Sequence, residues 1–477
     1  MARARLDATL RRVGSRAIAP ASRLFRGAAP SPSLPERDQR KLIEQLRACL
    51  EPLLGAAIAR SRAAEVAEVY LTLDDVGRRR FFALLAEHCR PDRATVDVAV
   101  GHYAATAARP GRSADLAAAE ADLRLALVPG WERLFRSFCG LDEGVKFAVD
   151  LRADLLRARR EPETVDPDAA LERLDRDLRG VLEAAFDVGL LELRRVTWAT
   201  PASVLEKLIE YEAVHEITSW ADLKNRLGAD RRCYAFFHPG MPDEPLIFVE
   251  VALAHGMAAE IGPLLDLSAP VADAEAADTA VFYSISACQA GLAGVSLGDY
   301  LLKWVVADLQ HDLPGLRRFA TLSPIPGLRA WLERQLAEDP TGLVGLLGDD
   351  QRSRLAEQGG GDPEAALARL VQGPDWVEED GVAAAVRPAL LRLGAHYLVR
   401  ETREGRARDR VANFHLTNGA RVERLNWLGN PGPTGMAESL GLMVNYRYDP
   451  DRIEANHVDY VLRGRVPTSS TVSRLLG

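Results

Sequence analysis

The sequence predicts an α+β protein of two domains, an all-α helical bundle followed by a mixed α/β domain that carries a helical insertion. Three observations point there. The length of 477 residues exceeds what one core usually serves. Residues from about 35 to 192 read as one amphipathic helix after another, and β-branched and aromatic runs set in only beyond residue 193. A hydrophobic content of 47% with 27% charged residues is ordinary for a folded chain.

The chain opens on a basic arm, residues 1–34, in which Arg3, Arg5, Arg11, Arg12, Arg16, Arg23 and Arg26 face one acid, Asp7. We expect this arm to be flexible and the protein to be cytoplasmic. An Arg-rich, acid-poor start over residues 1–26 also fits an organelle transit segment, which stands as the alternative. No signal-peptide apolar core follows the start, no run reaches the ~18 apolar residues of a membrane span, and the end, Arg474 to Gly477, is no peroxisomal tripeptide. The net charge of -8 gives no reason to expect nucleic acid. Five scattered cysteines without metal spacing (Cys49, Cys89, Cys139, Cys233, Cys288) point to a reduced compartment and no zinc.

In residues 35–192, Leu42, Leu46, Cys49, Leu50 and Leu53 form one apolar stripe, and Phe82, Leu84 and Leu85 belong to another. Further helices are expected near 115–127, 131–160 and 166–188. Nothing here groups into a catalytic set, so packing or oligomerisation is the expected role.

The mixed domain, 193–477, begins with a helix after Thr200-Pro201 holding Leu205, Leu208 and Ile209, then a short one with Trp220 and Leu223. Strand-like runs follow at 233–238 and 246–253, joined by a Pro/Gly loop. The stretch from Phe282 to Gly327 then reads strand, glycine turn, amphipathic helix (about 299–312) and second strand ending in Ser-Pro. Helical pattern returns over an insertion at about 333–400. The tail reads as a strand over 411–416, an Asn418-Gly419 hairpin turn, a second strand to Trp427, a short helix with Ser439 near its middle, and a strand at 444–448.

Strand, glycine loop and helix in that order present backbone N–H groups at a helix N-terminus, a common way to hold a phosphate. The loop Gln289-x-Gly291-x-x-Gly294-x-Ser296-Leu297-Gly298 is neither a Walker loop nor a dinucleotide fingerprint. It is similar to the loop by which GNAT-type acyltransferases hold the pyrophosphate of coenzyme A; a tight turn without ligand is the bland reading. Ser323, at a strand end before Pro324 and Pro326, and His415, between Phe414 and Leu416, are candidates for chemistry whose bland readings are a plain turn and a satisfied structural histidine.

Longer motifs settle the direction. EAVHEITSWADLKNRLG, FYSISACQAGLAGVSLGDYLLKWVV, ATLSPIPGL, VANFHLTNGARVERLNWLGNPGPTGMAESLGLMVNYRY and, in the helical part, RRRFFALLAE and LELRRVTWATPASVLEKL together make the chain resemble the malonyl-CoA decarboxylases from about residue 40 onward. That resemblance implies a helical N-terminal domain, a GNAT-like catalytic domain and assembly into a homo-oligomer, a tetramer or dimer of dimers. It implies malonyl-CoA as substrate, with coenzyme A part of the substrate and no separate cofactor or metal. It also implies a Ser/His pair, which falls on Ser323 and His415, with Tyr448 at the same site, and Gln289, Gly291, Gly294, Ser296, Leu297 and Gly298 on the coenzyme A side. Some relatives carry an acid where this chain has Ser296, so no role of that acid is carried over. The other readings are a GNAT-type acyltransferase using the same loop and a non-catalytic malonyl-CoA sensor.

Overall fold

The computed structural model describes residues 30–51, 56–109, 113–160, 168–295, 298–373, 375–379 and 381–477. The basic arm up to residue 29, Leu53, Ser296 and Leu297 lie outside the described residues. Two compact units are present. One comprises Met1–Leu191 with His238–Pro242 and Gln289–Ser296, the other Glu192–Phe237, Asp243–Cys288 and Leu297–Gly477.

The first unit is helical: α1 (Glu36–Cys49), α2 (Ala56–Leu71), α3 (Asp75–His88), α4 (Arg93–Ala107), α5 (Ser113–Leu127), α6 (Gly130–Cys139), α7 (Gly144–Ala158) and α8 (Asp168–Ala185). Asp74 and Asp92 start α3 and α4 by accepting the Gly77 and Thr95 N–H groups, which would otherwise lack a partner. The expected stripes turn inward, with Leu42, Leu46, Phe82, Leu84 and Leu85 buried. Tyr70, Phe81, Phe82, Phe138 and Phe147 pack edge to face around them.

The second unit is mixed α/β. Before the sheet's centre come β1 (Glu192–Val196), α9 (Ala202–Tyr211), α10 (Trp220–Arg226), β2 (Arg231–Phe237), β3 (Ile247–Ala254), α11 (Gly262–Leu265) and β4 (Thr279–Ala287). Then come α12 (Gly298–Asp312), β5 (Arg318–Thr321), β6 (Ser323–Pro324) and the insertion of α13 (Leu328–Glu338), α14 (Pro340–Gly345), α15 (Asp349–Gln358), α16 (Pro363–Gln372) and α17 (Val382–Val399). The tail holds β7 (Thr402–Arg403), β8 (Arg406–Ala407), α18 (Arg410–Thr417), β9 (Arg421–Asn426), α19 (Pro433–Ser439), β10 (Met443–Tyr448), α20 (Ile453–Arg463) and α21 (Ser470–Leu476).

The main sheet runs β1-β2-β3-β4-β5-β10-β6, with β9 on the other edge of β10. Among the named pairs only β4 and β5 are parallel, which requires a crossover, and α12 supplies it. β5 and β6 keep one register against β10 (Ala320 opposite Arg447, Ser323 opposite Val444), so they are one strand interrupted at Leu322. Cys233, Ala235 and Phe248 line one sheet face with Val204, Leu205, Leu208 and Leu223 of α9 and α10. Among the described residues no helix is long and apolar enough to cross a membrane.

Three expectations need correcting. Residues 411–416 are not a strand but lie in α18, and Asn418-Gly419 ends that helix rather than turning a hairpin. The reason is local: Asp409 caps the helix, and Gly419 takes the left-handed φ of +81° that a helix end favours as much as a hairpin does. Ser439 is the last residue of α19, not its middle. The strand β1, Glu-Leu-Arg-Arg-Val, was hidden by its charges, which an edge strand tolerates.

Candidate active site

Side chains alternate along a strand, so Thr321 and Ser323 project to the same face of the β5–β6 strand, as Tyr446 and Tyr448 do on β10. α18 delivers His415 onto that face, where its ring stacks on Tyr446 with centroids 4.5 Å apart. Ser323 Oγ and His415 Nε2 are 3.1 Å apart, and His415 Nδ1 lies 2.8 Å from the Tyr448 hydroxyl. The structure thus brings together the three residues proposed for chemistry, from positions far apart in the chain. All are buried: Ser323 is 6%, His415 3% and Tyr448 1% exposed.

Asp409 fixes how α18 meets the Ser323 turn. One carboxylate oxygen accepts the N–H groups of Val411 and Ala412 at 2.9 Å, and the other accepts the Gly327 N–H at 3.4 Å. Asn413 accepts the Tyr460 hydroxyl proton at 2.7 Å and holds the next turn. Behind the sheet Asn445 uses its whole amide: Nδ2 donates to the Thr321 and Ala258 carbonyls, and Oδ1 accepts from Asn426 and Arg424. Sequence reasoning missed Thr321, Asp409, Asn445 and Tyr446. An Asp just before an apolar helix and a hydroxyl two residues before Ser323 were the available signals.

Burial without an acidic partner pushes the His415 pKa from 6.5 down to about 3, so the ring is neutral. A neutral imidazole has one N–H. Ser323 donates its proton to Thr321 Oγ1 at 2.8 Å. Its Oγ must then accept from His415 Nε2–H, leaving Nδ1 to accept from the Tyr448 hydroxyl. The result is a one-way chain, Tyr448 to His415 to Ser323 to Thr321.

The glycine loop packs with the helical unit. Gly291 approaches α7 so closely that a Cβ there would sit 1.8 Å from the Val149 carbonyl oxygen. Arg152, buried and paired with Asp175, donates to the Gly291 and Ala293 carbonyls at 2.7 Å each. Gly294 has a left-handed φ of +78°. The N–H groups of Leu292, Ala293 and Val295 bond to carbonyls within the loop. Gln289 is buried at the start of this loop, and Gly298 opens α12. Gly291→Ala is therefore expected to destabilise the protein by about 1–3 kcal/mol through overpacking. Denaturant unfolding checks this; an unchanged midpoint would mean that the loop yields freely.

Comparison with known proteins agrees over nearly the whole chain. Residues 189–477 match the family model of the malonyl-CoA decarboxylase C-terminal domain, and residues 89–186 that of the malonyl-CoA decarboxylase N-terminal domain. The chain is 36% identical to the mitochondrial malonyl-CoA decarboxylase of Anser anser anser over 419 residues, 87% of this chain and 83% of that one. It is 39% identical to the mitochondrial malonyl-CoA decarboxylase of Rattus norvegicus over 369 residues, 76% of this chain and 74% of that one. The crystal structure of malonyl-CoA decarboxylase from Rhodopseudomonas palustris aligns with a TM-score of 0.80 at 38% identity, covering 91% of this chain and 99% of that one. That from Cupriavidus metallidurans aligns with a TM-score of 0.71 at 39% identity, covering 92% and 100%. On these matches, the chain belongs to the malonyl-CoA decarboxylase family.

Proposed function

We propose that the protein is a carboxy-lyase that converts malonyl-CoA to acetyl-CoA and carbon dioxide, with Ser323, His415 and Tyr448 as its catalytic residues. The single observation that carries this reading is the buried, directional chain through Ser323, His415 and Tyr448 in a member of this family.

The reaction needs no electron sink beyond the substrate, because the thioester carbonyl takes up the pair released when the C–C bond to the carboxylate breaks. What remains is geometry: the breaking bond must stand perpendicular to the thioester plane, and donors must face the growing enolate charge. When the malonyl group binds, Ser323 turns its proton from Thr321 Oγ1 to the malonyl carboxylate and so orients it. Once carbon dioxide has left, C2 of the enolate takes a proton. A thioester enolate is basic enough to accept it from a neutral donor, so a neutral His415 can serve, giving Nε2–H directly or through Ser323 while Tyr448 supports Nδ1. Water restores the proton. The same two donors can also share the enolate oxygen.

We assign Gln289, Gly291, Gly294, Ser296, Leu297 and Gly298 to the coenzyme A side of the substrate. The first N–H groups of a helix have no intrahelical partner, so those at the start of α12 are offered to phosphate. No organic cofactor or metal is assigned a part. Assembly into a tetramer or dimer of dimers through the helical unit, and a cytoplasmic location, complete the proposal.

The experiment is incubation with malonyl-CoA and no acyl acceptor, following carbon dioxide and the mass of the thioester product. Stoichiometric carbon dioxide and acetyl-CoA are expected. Free coenzyme A formed only when an amine or hydroxyl acceptor is added would make the protein an acyltransferase, and binding without turnover would make it a sensor.

A further inference from the structure

We propose that Thr321 is the positioning residue that sets the direction of every hydrogen bond in the catalytic chain. The proposal rests on the decarboxylase reading and adds to it a residue that the motif does not single out.

The strand formed by β5 and β6 is interrupted at Leu322. In the register that β5 and β6 share against β10, Tyr446 stands opposite Thr321, and an unbroken ladder would join their backbones there. Instead the Tyr446 N–H donates to Thr321 Oγ1 at 3.1 Å, while the Thr321 carbonyl is taken by Asn445 Nδ2 at 2.6 Å. The hydroxyl oxygen of Thr321 has replaced its own carbonyl as the ladder acceptor. A β-branched side chain held in this way has one setting for Oγ1. Fully buried at 0% exposure, that oxygen has a second lone pair free, and the Ser323 hydroxyl donates to it at 2.8 Å.

From this bond the rest follows by counting protons. Ser323 has one, committed to Thr321, so its lone pair faces His415 Nε2 at 3.1 Å and receives the only N–H of the neutral ring. Tyr448 then donates to Nδ1 at 2.8 Å. Without an acceptor at position 321, the Ser323 proton would turn to Nε2, the ring would carry its proton on Nδ1, and the whole chain would reverse. Turnover would then begin from the wrong tautomer, with substrate binding little changed.

The test compares Thr321→Val, which keeps the shape and removes the acceptor, with Thr321→Ser, which keeps the acceptor. Carbon dioxide release is measured with substrate varied. Thr321→Val is expected to lower kcat by about tenfold, equivalent to about 1.4 kcal/mol, with KM within about twofold. Thr321→Ser should stay near wild type. In protein labelled with 15N-histidine, with the His415 signal assigned through its loss in His415→Asn, wild type and Thr321→Ser should show the Nε2-protonated tautomer, and Thr321→Val the Nδ1-protonated one.

Wild-type kinetics and tautomer in Thr321→Val would overturn the proposal. So would an equal loss in both variants, which would make the effect one of packing. Should Thr321→Val fail to fold, the wild-type spectrum decides, since an Nδ1-protonated His415 contradicts the chain. Wild-type protein that releases no carbon dioxide would refute the decarboxylase reading, whereas the tautomer would still be read independently of turnover.

Discussion

His415→Ala is expected to lower kcat by about 10²–10⁴, the usual worth of a positioned acid or base, while KM changes little. The imidazole is the hinge of the chain: it accepts a hydrogen bond from Tyr448 at 2.8 Å on one side and donates one to Ser323 at 3.1 Å on the other. Removing it leaves the buried Tyr448 hydroxyl without its acceptor and, in the proposed reaction, the enolate without its placed donor. Steady-state carbon dioxide release is the measurement, and an unaffected kcat would take His415 out of the mechanism. Burial also makes a prediction about acid. In the unfolded chain His415 binds a proton near pH 6.5, whereas in the fold it stays neutral down to about 3. Between those values only the unfolded state holds the proton. The stability that the neutral ring contributes is thus complete above about 6.5 and falls as the pH drops toward 3. The alanine variant should lose less stability than wild type on going from neutral pH into that window.

Ser323→Ala is expected to cost about 10²-fold or more in kcat, and the double variant with His415→Ala hardly more than the worse single one. In the proposed reaction the two side chains share one proton route, so once either is gone the other has little left to contribute. Independent groups would instead show costs that multiply, and that outcome in a double-mutant cycle would break the chain into separate parts. Ser323→Ala keeps the strand register opposite Val444, so folding should be preserved.

The stretch from Phe282 to Leu322 was readable in the sequence because each signal in it is local: a β-branched and aromatic run, glycines, an amphipathic helix and a second strand. α18 was not. It has eight residues, too few for a clear helical period, and Val-Ala-Asn-Phe-His-Leu also alternates enough to pass for a strand. Only the bond from Asp409 to its first turn, together with packing against the sheet, decides for helix. Ser323, His415 and Tyr448 could be named from motifs. Their order in a chain of hydrogen bonds could not, since it joins residues 92 and 33 positions apart. Thr321 could have been suspected from its spacing to Ser323, but the side-chain substitution in the ladder that gives it a role exists only in three dimensions.

A serine beside a histidine invites comparison with the hydrolases, and the direction of the bonds separates the two. A nucleophilic serine gives its proton to the histidine as it attacks a carbonyl. Here Ser323 gives its proton to Thr321 and receives one from His415, so no base stands ready to make it an alkoxide. An enzyme arranged in this way would break the carbon–carbon bond of its substrate and leave the thioester, the more easily hydrolysed bond, intact for the next user of the acetyl group.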